Sequence, residues 1–467
     1  MAHDIPLLLA LWIAPVAGTP GAGPQQIVDT RSASSDLGLP TYGASSSGSV
    51  NFVQRGRTDV GGGQMLDWFI IYIGSSVTGS GFDEQFIVFS PNVAQGAARP
   101  LVVAYHGYGN TQKDITYKTT LVNECAQRGW YLMAPLSASG AHFMCDPGQK
   151  NTGVAMDWMM ANLSVDRSRI YGVGFSMGGG MALNFAARHL DPRRWTFAAI
   201  VDHTGTVDLI DTYENDPASA FVFDFWYGQG APGTANYDLM RRASLIEWDY
   251  AALQVDPYTD LARNLTHVPL KLIRGTNDPL VGLMAQHDRL NQHLIDLGHV
   301  PGPKYSYELI PTNEHSWKTL DEGVACDWLS QWSLDLPSEQ RTIAASGGYY
   351  YDYLVMQTVG MKLTPFTWAL DPVDNEFRLS ETANMAQIVV FADRAGLDTA
   401  QPLSVVMSTA DGKMNKVLVT DYATKPAFVS RDGIVLPSNA WSYGASGKVV
   451  ILTEWDGTQV HTYSIQP

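Results

Sequence analysis

From residue 65 to residue 335, short apolar runs alternate with longer stretches whose apolar positions recur every three or four residues. The runs Trp68–Ile73, Glu84–Phe89, Pro100–Tyr105, Tyr131–Ala134, Ile170–Val173, Phe197–Val201, Leu270–Ile273 and Tyr305–Ile310 predict strands. The first two are expected to pair through Gly79-Ser80-Gly81. Helical spacing predicts helices over Ile115–Arg128, Val154–Leu163, Met181–His189, Leu283–Leu297 and Leu320–Trp332. Strands that alternate with helices of this length imply an α/β fold. Its core is a doubly wound, mostly parallel sheet covered on both faces.

Two stretches depart from this rhythm. Between Thr206 and Asn264 the alternation breaks, and Phe221, Phe223, Phe225, Trp226 and Tyr227 fall close together. An insert at this point of such a sheet sits above the strand C-termini, where ligands bind, so 206–264 reads as a lid or substrate wall, or as an aromatic mini-core. After Leu336-Pro337 no long amphipathic helix follows. Short alternating runs appear instead, with turn pairs Asp411-Gly412, Asp432-Gly433 and Asp456-Gly457. Asp-Gly between alternating runs signals a hairpin. The expected arms are Val405–Ser408 with Val417–Thr420, Phe428–Ser430 with Ile434–Leu436, and Val449–Glu454 with Val460–Ser464. The organisation is therefore a signal peptide at 1–23, a Gly/Ser/Pro-rich linker or arm at 24–50, an α/β catalytic domain at 51–338 with its insert, and a β-sandwich-like C-terminal domain at 339–467.

Composition sharpens this picture in three ways. With 467 residues, 45 % of them hydrophobic, the chain is long enough for two or three domains with large cores. A net charge of −16 disfavours nucleic acid and anionic membranes as partners. The apolar run Ile5–Ala17 has signal-peptide length and is too short to span a bilayer; together with a charged fraction of 16 % it predicts a secreted or periplasmic protein. A segment tucked onto the fold is the alternative for that run. Cys125, Cys145 and Cys326 contain no C-x-x-C, which removes zinc-ribbon and thioredoxin-type chemistry. One disulfide plus a thiol and three buried thiols both fit.

The chemistry gathers around Arg169–Met181, RIYGVGFSMGGGM. Strand, G-x-S-x-G turn, then helix is the context of a nucleophile elbow at Ser176. A Cβ at Gly174 or Gly178 would clash in so sharp a turn. A serine hydroxyl needs a base, and the base needs an acid to orient it. In doubly wound hydrolases acid and base follow the serine in that order, each after a strand. Asp278 stands just past Leu270–Ile273, and His315 just past Tyr305–Ile310. Asp202 and Glu314 are rival acids, and His203 and His287 rival bases. Two backbone N–H groups must hold an oxyanion: Met177, after the nucleophile, and Tyr108, from the loop His106-Gly107-Tyr108-Gly109.

The motifs HGYGN, GFSMGGG, GTNDP and EHSW, in this order, resemble the α/β-hydrolase superfamily. They look most like serine esterases grouped around polyhydroxybutyrate depolymerases, feruloyl and acetylxylan esterases and polyester hydrolases. The resemblance spans about 65 to 335. It implies a Ser176/Asp278/His315 triad, an oxyanion hole from Tyr108 and Met177, no metal and no organic cofactor. It also implies an ester substrate, polymeric in some of these relatives. Tyr108, Trp317, Phe223, Phe225 and Trp226 are the expected substrate-binding residues, which favours an aryl or bulky ester. Two other readings compete. One is a serine peptidase of the prolyl-oligopeptidase type, which normally carries a large domain ahead of the hydrolase. The other is a polymer- or glycan-binding protein using Tyr349–Tyr353, Trp368, Trp441 and Trp455, with a vestigial core.

Overall fold

The computed structural model describes residues 50–60, 65–91, 96–217, 219–409, 416–444, 446–452 and 459–467. The expected signal peptide and nearly all of the arm lie outside the described residues, as do the turn pairs at 411–412 and 456–457 and Trp455.

Nine strands form the main sheet: β1 (Val50–Asp59), β2 (Met65–Ile73), β3 (Glu84–Pro91), β4 (Arg99–Tyr105), β5 (Tyr131–Pro135), β6 (Val165–Phe175), β7 (Ala199–His203), β10 (Leu270–Gly275) and β11 (Tyr305–Ile310). The two-residue strands β8 (Trp248–Asp249) and β9 (Gln254–Val255) pair separately in the insert. The order across the main sheet is β1-β2-β3-β5-β4-β6-β7-β10-β11. It is antiparallel from β1 to β5 and parallel from β5 to β11. All eight expected strands are present, and β1 was not anticipated. Its sequence, VNFVQRGRTD, has too little apolar alternation to announce a strand, and pairing with β2 supplies what the local pattern lacks.

The helices are α1 (Ser75–Thr78), α2 (Asp114–Lys118), α3 (Leu121–Arg128), α4 (Asp146–Asn162), α5 (Met177–Arg188), α6 (Leu209–Asn215), α7 (Ala220–Tyr227), α8 (Ala235–Ala243), α9 (Val281–Asp296) and α10 (Glu322–Leu329). The single helix expected over 115–128 is broken at Thr119, which is extended and turns its hydroxyl back to the Ile115 carbonyl at 2.6 Å. Helix α4 starts eight residues before the expected Val154. Cys145 Sγ accepts from Gly148 N at 3.4 Å and Pro147 occupies the first turn, a start signal in the sequence that the apolar spacing hid. The insert contributes α6, α7 and α8.

Residues beyond 338 form two further sheets, of seven and six strands. One core lies between them. Phe366, Trp368, Phe377, Leu379, Val405 and Ile465 from one sheet meet Tyr353, Val355, Ile388, Val390, Val417 and Ile451 from the other. Of the three expected hairpins only the one at Asp432-Gly433 forms, with Arg431 opposite Ile434 and positive φ at both turn residues. Val405–Ser408 and Val417–Thr420 lie in different sheets, as do Val449–Leu452 and His461–Ser464. There consecutive strands belong to opposite sheets instead of pairing with each other, an outcome local turn chemistry does not encode. The tyrosine cluster is core rather than a binding face: Tyr350, Tyr351, Tyr353 and Trp368 are buried, and only Tyr349 is exposed.

This region joins the main sheet at the far end of α5. Asn264, fully buried, donates to the Ala187 and Ile343 carbonyls at 2.7 and 2.9 Å and accepts from Ile343 N at 2.8 Å. Tyr351 N donates to the Leu190 carbonyl at 2.9 Å. Arg394 Nη2 reaches Asp191 Oδ1 at 3.1 Å.

Candidate active site

Strand β6 ends at Phe175 and α5 starts at Met177, leaving Ser176 alone at the turn with φ 57° and ψ −127°. That backbone is strained for a side-chain-bearing residue and is held from several directions. Ser176 N donates to the His203 carbonyl at 2.8 Å, and the Ser176 carbonyl accepts from Gly179, Gly180 and Thr206 N. The flanking glycines are dictated by space. A Cβ on Gly174 would lie 2.0 Å from the Gly178 carbonyl oxygen, and one on Gly178 2.3 Å from that of Tyr105.

Asp278 and His315 are brought together by the adjacent loops after β10 and β11. Thr276 N bonds the Ile310 carbonyl at 2.9 Å and Asn277 N the Thr312 carbonyl at 3.0 Å, so the two loops are tied backbone to backbone. His315 Nδ1 then lies 2.7 Å from Asp278 Oδ2. The other carboxylate oxygen accepts from Leu280 N at 2.8 Å. Asp278 is only 2 % exposed, so this pairing fixes the imidazole orientation. His315 Nε2 is buried and has no hydrogen-bond partner among the described residues. The ring rests on Phe175, the residue before Ser176, with centroids 4.5 Å apart.

Three of the four rivals are otherwise engaged. Asp202 and His287 are wholly buried and face each other at 3.0 Å. His203 bonds Thr319, and burial together with the nearby His315 and His287 pushes its pKa down to about 3. A histidine that stays neutral to that pH is a poor proton acceptor.

On the other side of Ser176 lies the loop after β4. Gly109 takes φ 72° and donates to the Gly140 carbonyl at 2.8 Å. Neither Tyr108 N nor Met177 N donates a hydrogen bond among the described residues. The Tyr108 ring is 38 % exposed and packs 5.2 Å from Phe143.

The expected substrate wall needs correction. Trp317 is 2 % exposed and packs behind Phe175, and Phe223 is fully buried against Phe143 at 4.8 Å. Both are core residues, because the apolar packing that roots the loops outweighs any exposure to a cleft. Trp226 donates to the Ala141 carbonyl at 2.6 Å, and Phe225 is exposed beside Phe82. The stretch that sequence reasoning missed is 136–145. Ser137, Ala138, Phe143 and Met144 all take positive φ there, in a segment with neither alternation nor helical spacing. Phe143 N bonds Met177 Sδ at 3.4 Å and its ring packs on Tyr108, so this loop touches both residues expected to hold the oxyanion. The three cysteines are buried and unpaired.

No family model and no curated protein matches the chain. Solved structures similar to it include an S-formylglutathione hydrolase from Agrobacterium tumefaciens (18 % identity, 60 % of this chain and 99 % of that one, TM-score 0.44). A ferulic acid esterase follows at 16 % identity, 60 % and 99 % coverage and TM-score 0.40. An acetyl xylan esterase from Paenibacillus sp. R4 gives 15 % identity, 60 % and 89 % coverage and TM-score 0.39. Independently of these, the strand order, the Ser176 elbow and the Asp–His pair following it in chain order give the main sheet the architecture of an α/β-hydrolase.

Proposed function

We propose that the protein is a serine carboxylic-ester hydrolase working through an acyl-enzyme. The observation that carries this is the His315–Asp278 pair at 2.7 Å, with Nε2 left unpartnered against the residue preceding Ser176. Ser176 Oγ attacks the ester carbonyl carbon while His315 Nε2 takes its proton. The carbonyl oxygen becomes an oxyanion between Tyr108 N and Met177 N. Collapse expels the alcohol, which leaves with the proton from His315. Water then attacks the acyl-enzyme, His315 again takes the proton, and the carboxylic acid departs as Ser176 regains its own. Asp278 holds the tautomer and stabilises the imidazolium.

The exposed Tyr108 ring supports an aryl or bulky ester, and a polyester is a candidate within that class. We read 206–264 as a lid over the strand ends and 339–467 as an accessory β-sandwich that braces the catalytic unit. Export is the location that the sequence of 1–23 supports. Aryl esters from acetate to octanoate plus a ferulate ester, turned over by wild type and by Ser176→Ala, test the reading. Turnover lost by at least ~10⁴-fold in the variant is the expected result. A folded wild type that hydrolyses none of them overturns it.

A further inference from the structure

Glu84 plays no part in acyl transfer, yet it is wholly buried at the start of β3. A buried carboxylate costs free energy unless donors surround it. Its donors are backbone groups of the loop missed in the sequence. Oε1 accepts from Leu136 N at 2.8 Å and Ser137 N at 3.1 Å, and Oε2 from Ala138 N at 2.9 Å. Ser137 and Ala138 are left-handed, with φ of 55° and 72°, which aims successive N–H groups at one carboxyl group. Without those two acceptor oxygens the conformation has little to hold it, since each left-handed non-glycine residue costs ~1 kcal/mol or more.

The loop so held carries the oxyanion side of the site. The Leu136 carbonyl meets His106 Nε2 at 3.2 Å, and the Gly140 carbonyl meets Gly109 N at 2.8 Å, which grips the Tyr108 loop at both ends. Phe143 bonds Met177 Sδ and packs on Tyr108. The Ala141 and Phe143 carbonyls accept from Trp226 and Tyr227 of α7, so the insert is tied to the same loop. Resting on the esterase reading above, we propose that Glu84 is a positioning residue for the oxyanion site, acting through residues 136–145. The other polar groups facing it are the Tyr105 phenol from β4 and the Asn151 amide from α4.

The test compares wild type, Glu84→Gln and Glu84→Gln/Ala138→Gly. Four quantities are read on protein counted by fluorophosphonate titration of Ser176: kcat and KM for an aryl acetate, affinity for an alkyl trifluoromethyl ketone whose hemiketal places an oxyanion in the site, and inhibition by the product alcohol. Glu84→Gln should lower kcat and ketone affinity about tenfold each, with KM and alcohol inhibition within about twofold. Ala138→Gly, free to adopt φ 72° unaided, should restore part of the loss. If Glu84→Gln does not fold, Glu84→Asp, which keeps the charge but shortens the reach, is read the same way. Folded variants with wild-type kcat and ketone affinity, or with losses shared equally by KM and alcohol inhibition, overturn the inference. A wild type that neither turns over esters nor reacts with the fluorophosphonate overturns the esterase reading itself.

Discussion

The main sheet and the two sheets beyond residue 338 are built from similar strands but differ in how the chain travels between them. From β4 onward each parallel strand leads through a helix or insert to one lying close beside it, and polar residues crowd the strand ends: Asp202, His203, Asp278 and Glu84 are all buried. Beyond 338 the chain passes repeatedly from one sheet to the other between short hairpins, and the described residues buried there include no Asp, Glu, Lys or Arg. The first arrangement spends stability on holding charged groups in place; the second accumulates it. A change of the same size should therefore be costly in one region and mild in the other.

The sharpest contrast is between two glycines. Gly178→Ala drives a Cβ to 2.3 and 2.5 Å from the backbone oxygens of Tyr105 and His106, which cannot move aside. We expect about 4 kcal/mol or more of destabilisation and loss of ester turnover, read by thermal melting and assay. Gly348→Ala meets open space and should change stability by less than about 0.5 kcal/mol. If both variants behave alike, the contrast fails.

Next in size is the contrast between two Asp–His pairs. Asp278→Asn should lower kcat by about 10⁴-fold while leaving the melting temperature within a few degrees. His461 and Asp432, also 2.7 Å apart, lie in the C-terminal region, and Asp432→Asn there should leave kcat unchanged. A smaller effect separates Glu84 by pH. Burial outweighs the donors from Ala138, Ser137 and Leu136 and raises its pKa to about 7. The folded state then binds more protons than the unfolded state between the unfolded pKa of about 4.3 and 7. Stability from this group is full below that window and declines as pH rises through it, by about 3 kcal/mol. Denaturant titrations from pH 4 to 8 should show the slope in wild type and its loss in Glu84→Gln. Last, Asn264→Ala leaves three buried backbone groups at the junction without partners and should cost about 2–3 kcal/mol, with kcat unchanged in the folded fraction.

What was legible in the sequence follows the same division. Ser176, Asp278 and His315 each lie on the loop that follows an apolar strand, and strand ends are what a local pattern marks best. The 136–145 loop was invisible because its shape is imposed by Glu84, more than fifty positions away. Trp317 and Phe223 were misplaced because an aromatic residue near a functional motif reads identically whether it lines a cleft or roots a loop. Two hairpins were misread because Asp-Gly specifies a reversal of the chain, while the crossing between sheets is decided by which faces bury together.

The backbone at Ser176 has a consequence for evolution of the fold. Its φ of 57° and ψ of −127° belong to glycine, so the proposed nucleophile is poorly suited to its own position. Ser176→Gly should be more stable than wild type and catalytically inert. Drift that favours robustness alone would erase the activity at a single codon, and the survival of a serine there in any descendant of this chain would be a record of selection on chemistry.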